Sequence, residues 1–331
     1  MRNRQVILVS RPTGIPQADC FAISDADMPV PGEGEILVRN HYLSVEPAMR
    51  GWIVDVGNYS APVGIGEVMR SLASGVVEAS NHPDYKPGDH VAGWFGWQDY
   101  AAVSIDKIVQ RTTMAEMTQV LGILGINGIT AYLGLTTVGQ PKPGETVVVS
   151  TAAGSVGSAV GQIARILGCR TVGIAGGAEK AASCVADFGY DAGIDYRNED
   201  VSARIAEACP NGVDIYFDNT SGPISDAVLP HLALRGRVVI CGTASISRWD
   251  QWPTGPRVER HLLIKRARME GFVIFDHMHH LDEAVAQLRE WIAQGKLNFH
   301  EDIADGIEAC SDSIAGVYRG ENKGKRLIRL I

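Results

Sequence analysis

The sequence predicts an α/β fold: a doubly wound parallel sheet covered by helices, beside a separate β-rich domain of barrel type. Three observations predict it. From residue 145 onward, short apolar runs alternate with helical stretches, the pattern of a parallel sheet whose crossovers are helices. One of those runs, Thr146–Ser150, is almost wholly apolar, as a strand buried on both faces must be. The first third, by contrast, consists of short β-forming runs punctuated by Gly and Pro.

Taken in order, residues 6–9 are a short β-type run, and residues 35–45 mix alternating and continuous apolar stretches. Residues 72–79 form the next run. The turn Lys86, Pro87, Gly88 then feeds a strand toward Val91, and residues 100–103 and 108–109 are shorter strands. Residues 117–138 place apolar side chains at helical spacing, with several glycines that permit close packing. There follow strand Thr146–Ser150, helix 156–167, strand 171–175, helix 179–188, the short strand Ala192–Asp195 and strand Val213–Asp218. Helix 224–232, strand 237–241 and an apolar strand at 269–275 continue the alternation. Residues 281–294 predict an amphipathic helix with Leu281, Val285, Leu288 and Ile292 on one stripe. A turn at 322–324 precedes a last strand, 326–331. That stretch is too short to be a domain and is expected to return to the first one. The expected domains are residues 1–127 with 297–331, and residues 128–296.

Composition narrows the function. Hydrophobic residues make up 45% and charged residues 21% of 331, the balance of an ordinary globular protein. The net charge of −8 argues against a nucleic-acid partner, which needs a concentrated positive field. The N-terminal apolar run is short and broken by Arg11 and Pro12, unlike a signal peptide, and no run is long enough to span a bilayer. The six cysteines, Cys20, Cys169, Cys184, Cys209, Cys241 and Cys310, form no C-x-x-C pair. A cytoplasmic protein without disulfides is the expectation.

The sharpest motif follows the strand Thr146–Ser150. Ala152, Gly154 and Gly157 fall on the three glycine positions of the dinucleotide-binding, or Rossmann, fingerprint, at a turn that opens a helix. Residues 152–157 (Ala152, Ala153, Gly154, Ser155, Val156, Gly157) are therefore the expected diphosphate cradle, with the helix N-terminus offering N–H groups. An NAD site places Asp or Glu at the end of the second strand. Here that end reads Ala175, Gly176, Gly177, Ala178, Glu179, Lys180. An open strand end followed by Lys180, with Tyr196 and Arg197 after the third strand, fits the 2′-phosphate of NADPH. Lys180 as an ordinary solvated lysine is the plainer alternative, and Tyr196 serves either to stack on adenine or simply to pack.

Further motifs are Gly128-Ile-Thr-Ala-Tyr-Leu133, Lys142-Pro-Gly-Glu145, Asp195-Tyr-Arg197, Phe217-Asp-Asn219 and Cys241-Gly242. Nearer the start stand Leu43-Ser-Val-Glu-Pro-Ala-Met-Arg-Gly51 and Gly66-Glu-Val-Met69. In this order and almost end to end, they resemble the zinc-free leukotriene B4 12-hydroxydehydrogenase/prostaglandin reductase family of the medium-chain dehydrogenase/reductase superfamily. That family includes plant double-bond reductases and a bacterial curcumin reductase. The resemblance implies a GroES-like catalytic domain beside the Rossmann domain. It also implies metal-free reduction by NADPH of the carbon–carbon double bond of small hydrophobic α,β-unsaturated aldehydes and ketones. By resemblance Lys180, Tyr196, Asn219 and Asn322 are cofactor contacts, while Cys241, Gly242 and Ser247, and Phe272, Val273 and Ile274, border the nicotinamide. On their own, Asn219 and Asn322 read equally well as turn formers. Two departures stand out: the family commonly has Tyr where Ala48 stands, and another near Ser247.

Conjugate reduction builds charge on the substrate carbonyl oxygen, so it needs hydrogen-bond donors aimed there. The cofactor's ribose hydroxyl is one candidate; Tyr59, in the loop leading to Gly66, is another, its plainer role being a loop anchor, and Ser247 is a third. Trp52, Trp94, Phe95, Trp97, Trp249 and Trp252 supply aromatic surface, some of it expected to line an apolar cleft. A zinc alcohol dehydrogenase is disfavoured, because Gly66-Glu-Val lacks the histidine of that family's Gly-His-Glu and no four-cysteine lobe is present. The run Asp276 to His280 reads as a polar turn rather than a metal site. Two rivals remain at this level: a quinone reductase, and a non-catalytic NADPH-binding sensor or scaffold. The apolar run at 269–275, at a sheet edge, predicts a homodimer.

Overall fold

A computed structural model of the chain describes residues 2–246 and 253–331. It holds two compact units, Met1–Gly122 with Glu301–Ile331, and Ile123–His300. The sequence places these seams at 127/128 and 296/297.

In the first unit β1 (Arg2–Leu8) pairs antiparallel with β2 (Phe21–Asp27). The larger sheet is built on β3 (Glu35–Ser44), which pairs antiparallel with β4 (Ala73–Ser80); β5 (His90–Gly93) then pairs with β4. β6 (Tyr100–Ser104) takes the other side of β3, and β7 (Ile108–Arg111) pairs with β5. Ile36, Val38 and Asn40 are buried at period two. A register shift between Asn40 and Tyr42 then changes the phase, so that Leu43 points into the core instead. Such bulges bend a strand, and that bend lets one strand serve several neighbours. A short helix, α1 (Met49–Trp52), follows β3.

The second unit opens with α2 (Ile126–Leu133), which continues as a π-helical turn, Gly134–Gly139. Gly128 has no alternative there, because a Cβ would stand 1.9 Å from the Ile123 carbonyl oxygen. Next come β8 (Thr146–Ser150), α3 (Ser155–Ile166), β9 (Arg170–Ala175), α4 (Ala178–Ala186) and β10 (Ala192–Asp195). The unit continues with α5 (Val201–Ala208), β11 (Val213–Asp218), α6 (Gly222–Val228), β12 (Leu232–Ile240), α7 (Glu259–Lys265), β13 (Arg268–Gly271) and α8 (Leu281–Ala293). The six strands lie in the order β10-β9-β8-β11-β12-β13, all parallel. This is the doubly wound sheet expected from sequence. The chain winds outward from β8 in one direction and from β11 in the other, which makes the carboxyl ends of β8 and β11 the switch point where such folds bind ligands.

The last segment rejoins the first unit: β14 (Glu301–Asp305), α9 (Cys310–Arg319) and β15 (Lys325–Arg329), with β15 antiparallel to β3 and parallel to β14. Lys325 and Glu46 form a buried ion pair in this unit, and Ser44 Oγ and the Val45 carbonyl complete its hydrogen bonding at 2.7 and 2.9 Å.

Several expectations are corrected. The apolar strand expected at 269–275 is only β13, because Phe272 and Ile274 turn inward and a 3₁₀ helix, Ile274–His280, begins. The buried stripe of α8 is Ala284, Val285, Leu288 and Trp291, with Leu281 and Ile292 only half-buried at its margins. β2, α5, α7, β14 and α9 carry no sequence expectation. α5 has a local signal, since the Asp200 carboxylate caps it by accepting from Ala203 N at 3.0 Å.

Candidate cofactor and active site

β8 is buried at all five residues, and its end turns sharply into α3. The positive φ that this turn requires falls on Thr151, at 54°. The next residue is therefore free to carry a side chain, and Ala152 is fully buried against Gly173 of β9. Gly154 caps α3 with extended backbone, and a Cβ there would meet Thr151 at 3.0 Å. A Cβ on Gly157 would meet the Thr151 carbonyl oxygen at 2.2 Å. The first intrahelical bond runs from Ser158 N to Gly154 O. The N–H groups of Ser155, Val156 and Gly157 thus precede the helical ladder and face the turn as donors for an anion. Behind them Tyr190 is fully buried. Its hydroxyl donates to Gly157 O at 2.6 Å, and its ring occupies the space a Cβ on Gly161 would need.

At the end of β9, Gly177 adopts φ +100° and caps α4, whose first turn holds Lys180. Tyr196 is 41% exposed, and its hydroxyl lies 2.9 Å from where a Cβ of Gly176 would be, so its ring rests over the strand end. No carboxylate belongs to this strand end itself, as expected. One arrives from the neighbouring strand, which the sequence reading missed. Asp195, 4% exposed at the end of β10, accepts from Gly177 N at 2.7 Å, Arg197 N at 3.0 Å and Asn198 Nδ2 at 2.7 Å. These donors, the Asn198 amide foremost, hold its carboxyl below the ordinary value. Asp and Asn flanking a Tyr-Arg pair directly after a strand is the signal for such a turn.

At the switch point a second buried carboxylate organises the end of β11. Asp218 Oδ1 accepts from Thr220 N, Ser221 N, Tyr216 OH and Ser150 Oγ at 2.9, 2.8, 3.0 and 3.2 Å. Its carbonyl accepts from Cys241 N and Gly242 N at 2.8 and 3.1 Å. Asn219 bridges to β8: its N donates to Ser150 Oγ at 2.8 Å and its Nδ2 to Ser150 O at 2.7 Å. A Cβ on Gly242 would meet Asn219 O at 2.7 Å. Asn219, Cys241 and Gly242 are thus brought together beside the α3 cradle.

The remaining candidates are more scattered. Phe272 N extends the sheet ladder by donating to Ile240 O at 2.9 Å. Its buried ring, close to Gly134, stacks on His277 with centroids 4.8 Å apart. Ile274 is buried and Val273 half-buried. Ser247, Trp249 and Trp252 lie outside the described residues. In the first unit, Asn322 Nδ2 donates to Gly324 O at 2.8 Å, the bond of a turn former. Tyr59 is 54% exposed in a loop pinned by Asn58, whose Nδ2 donates to Gly51 O. Trp52, Phe95 and Trp97 are buried in the core of the first unit, and Trp94 meets Trp52 edge-on. Among the described residues no group of three His, Cys, Asp or Glu side chains has metal-ligating placement.

A family profile described as the N-terminal domain of oxidoreductase matches residues 4–110, and one described as zinc-binding dehydrogenase matches residues 155–293. The NADPH-dependent curcumin reductase of Escherichia coli (strain K12) is 42% identical over 335 residues, 99% of this chain and 97% of that protein. The 2-alkenal reductase (NADP(+)-dependent) of Nicotiana tabacum is 36% identical over 333 residues, 98% of this chain and 97% of that one. CurA from Vibrio vulnificus, solved in complex with NADPH, superimposes with a TM-score of 0.94 at 42% identity, over 99% of both chains. On this evidence the chain belongs to the medium-chain dehydrogenase/reductase superfamily, in its leukotriene B4 12-hydroxydehydrogenase/prostaglandin reductase family of NADP-dependent alkenal/one oxidoreductases.

Proposed function

We propose that this chain reduces the carbon–carbon double bond of small hydrophobic α,β-unsaturated aldehydes and ketones with NADPH, without a metal. The observation that carries the reading is the cradle at α3 joined to the open end of β9. Residues 154 and 157 leave no room for side chains where a diphosphate needs backbone, and beyond the strand end Gly177 is open on its Cβ side while the Tyr196 ring lies over Gly176. The residues present therefore fit the cofactor. Ala152, Ala153, Gly154, Ser155, Val156 and Gly157 would hold its diphosphate, and Lys180, Tyr196 and Arg197 its phosphorylated adenosine half; Cys241, Gly242 and Ser247, with Phe272, Val273 and Ile274, would border the nicotinamide, and by resemblance Asn219 and Asn322 would be further cofactor contacts.

When bound, NADPH supplies a hydride to the β-carbon of the substrate. The chain's own task is then to place the enone and to stabilise the negative charge that develops on its carbonyl oxygen. Tyr59 is the donor we assign to that oxygen, with Ser247 in second place. What supports metal-free chemistry is the sequence Gly66-Glu-Val, which has no histidine where zinc alcohol dehydrogenases carry Gly-His-Glu.

The reaction is tested with NADPH carrying deuterium at the transferred position and a panel of alkenals, enones and quinones. The label should appear at the β-carbon with the carbonyl intact. Label on the carbonyl carbon of an allylic alcohol would show a carbonyl reductase instead, and turnover restricted to quinones would move the acceptor class. Metal analysis of active protein should find no stoichiometric zinc.

A further inference from the structure

Building on the cofactor reading above, we propose that Asp195 is a positioning residue that sets the preference for a 2′-phosphorylated dinucleotide. It does so by latching together the two loops that flank the phosphate.

Asp195 and Ala175 are register partners on neighbouring parallel strands, so the two strand ends, and the loops leaving them, lie side by side. The ladder between them ends at one bond, Tyr196 N to Ala175 O at 3.1 Å, and beyond it the carboxylate provides the tie. Oδ1 accepts from Gly177 N, at the head of α4, and from Arg197 N, in the loop after β10. Oδ2 accepts from the Asn198 amide, and Asp195 N donates to Glu199 Oε2 at 2.7 Å. One buried anion thereby fixes two things, the start of the helix turn carrying Lys180 and the backbone of Arg197, while Tyr196, held by its own bond to Ala175 O, lies between them over Gly176. Gly177 makes the tie possible, since its φ of +100° aims the N–H across at the neighbouring strand.

A negative charge beside a phosphate site is a liability on Coulomb's law alone. Here three donors converge on a carboxylate that is almost wholly screened from solvent, so its charge is largely met within the latch. The two views predict opposite signs. If Asp195 acted only through its charge, neutralising it would strengthen binding of the 2′-phosphate. If it acts by holding the loops, neutralising it weakens that binding.

The test uses the full chain and its Asp195→Asn and Asp195→Ala variants. NADPH, NADH, 2′,5′-ADP and 5′-AMP are titrated by calorimetry, with a thermal melt of each protein. Affinity for NADPH and 2′,5′-ADP should fall about tenfold or more, the size of a lost charge-assisted positioning contact, while NADH and 5′-AMP change little. A folded variant whose NADPH-to-NADH ratio is unchanged, or rises, overturns the proposal. A general loosening of the fold would lower all four ligands together and overturn it as well. Should the Asp195 variants not fold, Asn198→Ala removes one donor of the latch and should lower the ratio by about threefold; an unchanged ratio there overturns the proposal too. If wild-type protein binds NADH as tightly as NADPH, the cofactor reading itself has failed, and this proposal with it.

Discussion

Ala152 and Gly157, five residues apart in one motif, show how finely position decides what a residue must be. The left-handed backbone of the turn sits on Thr151, and Ala152 packs on Gly173, so the first glycine of the fingerprint is replaced without strain. Gly157 has no such latitude, since its missing Cβ is what brings α3 against the end of β8. The fingerprint was therefore legible in sequence, but the reason for its departure was not. Lys180 is the residue from which the sharpest binding prediction follows. Lys180→Ala should weaken NADPH by about 1–3 kcal/mol, typical of a hydrogen bond to a charged group, and leave NADH near its wild-type affinity. Equal losses for both would remove the assignment to the 2′-phosphate. For Tyr59 the expected signature is in the chemical step. Tyr59→Phe should raise the barrier by about 3 kcal/mol if its hydroxyl meets the developing oxyanion, with NADPH affinity unchanged. An unchanged kcat would return Tyr59 to the role of an exposed loop residue.

Among the elements, the π-helical turn at Gly134–Gly139 depends on distant strands. Its last carbonyls lie beyond the helical ladder and must be satisfied by something else. Arg237 of β12 donates Nε to Gly139 O at 2.8 Å and Nη2 to Gln140 O at 3.1 Å, and Arg268 of β13 reaches Val138 O. The same Arg237 holds Glu145 through Nη1, at 2.9 Å. Burial would raise the Glu145 carboxyl, but its hydrogen bonds to Arg237 and to the Lys142 backbone outweigh that and keep it below its ordinary 4.5. Arg237→Met should destabilise the protein by about 3 kcal/mol at neutral pH, since it strands a carboxylate and two helix-end carbonyls together. A carboxylate whose folded pKa is depressed contributes stability above its unfolded pKa and loses it as pH falls through the folded one. The gap between wild type and variant, read from urea denaturation, should therefore narrow in acid. A gap that is constant with pH would show that the ion pair contributes nothing to it. None of this follows from local sequence, where residues 117–138 show only helical periodicity.

At the scale of the whole molecule, β13 is the outer strand of the six-stranded sheet, and the expectation of a homodimer rests on that edge. Its residues differ from those expected. Arg268, Glu270 and Gly271 are exposed, and the apolar surface comes instead from Leu263 and Ile264 of α7, 77% and 47% exposed, and Leu234 of β12, 57% exposed. Among the described residues β13 has no partner strand on its outer side, and such an edge invites one. Light scattering at micromolar concentration should report a dimer, and Leu263→Glu should shift it toward monomer. A wild-type monomer would count against the edge as an interface. No helix among the described residues is long and apolar enough to cross a membrane.

What the sequence determined by itself lay in local periodicity and turn chemistry, and even there the cap of α5 and the exact stripe of α8 escaped it. Buried parallel strands read as unbroken apolar runs, amphipathic helices as stripes, and the nucleotide cradle as glycines at a strand–helix turn, because in each case the physics acts between residues a few positions apart. What only the tertiary structure decided was where distant polar groups meet. Asp195 reads as one more strand-end acid until its strand lies beside β9, and Asp218 as a turn residue until β8, α6 and the Cys241 turn converge on it. Lys325 and Glu46 are 279 residues apart in the chain, yet they form a buried pair because β15 returns to β3. A charge in a buried site must find its partner wherever the fold places it, and a linear pattern carries no record of that meeting.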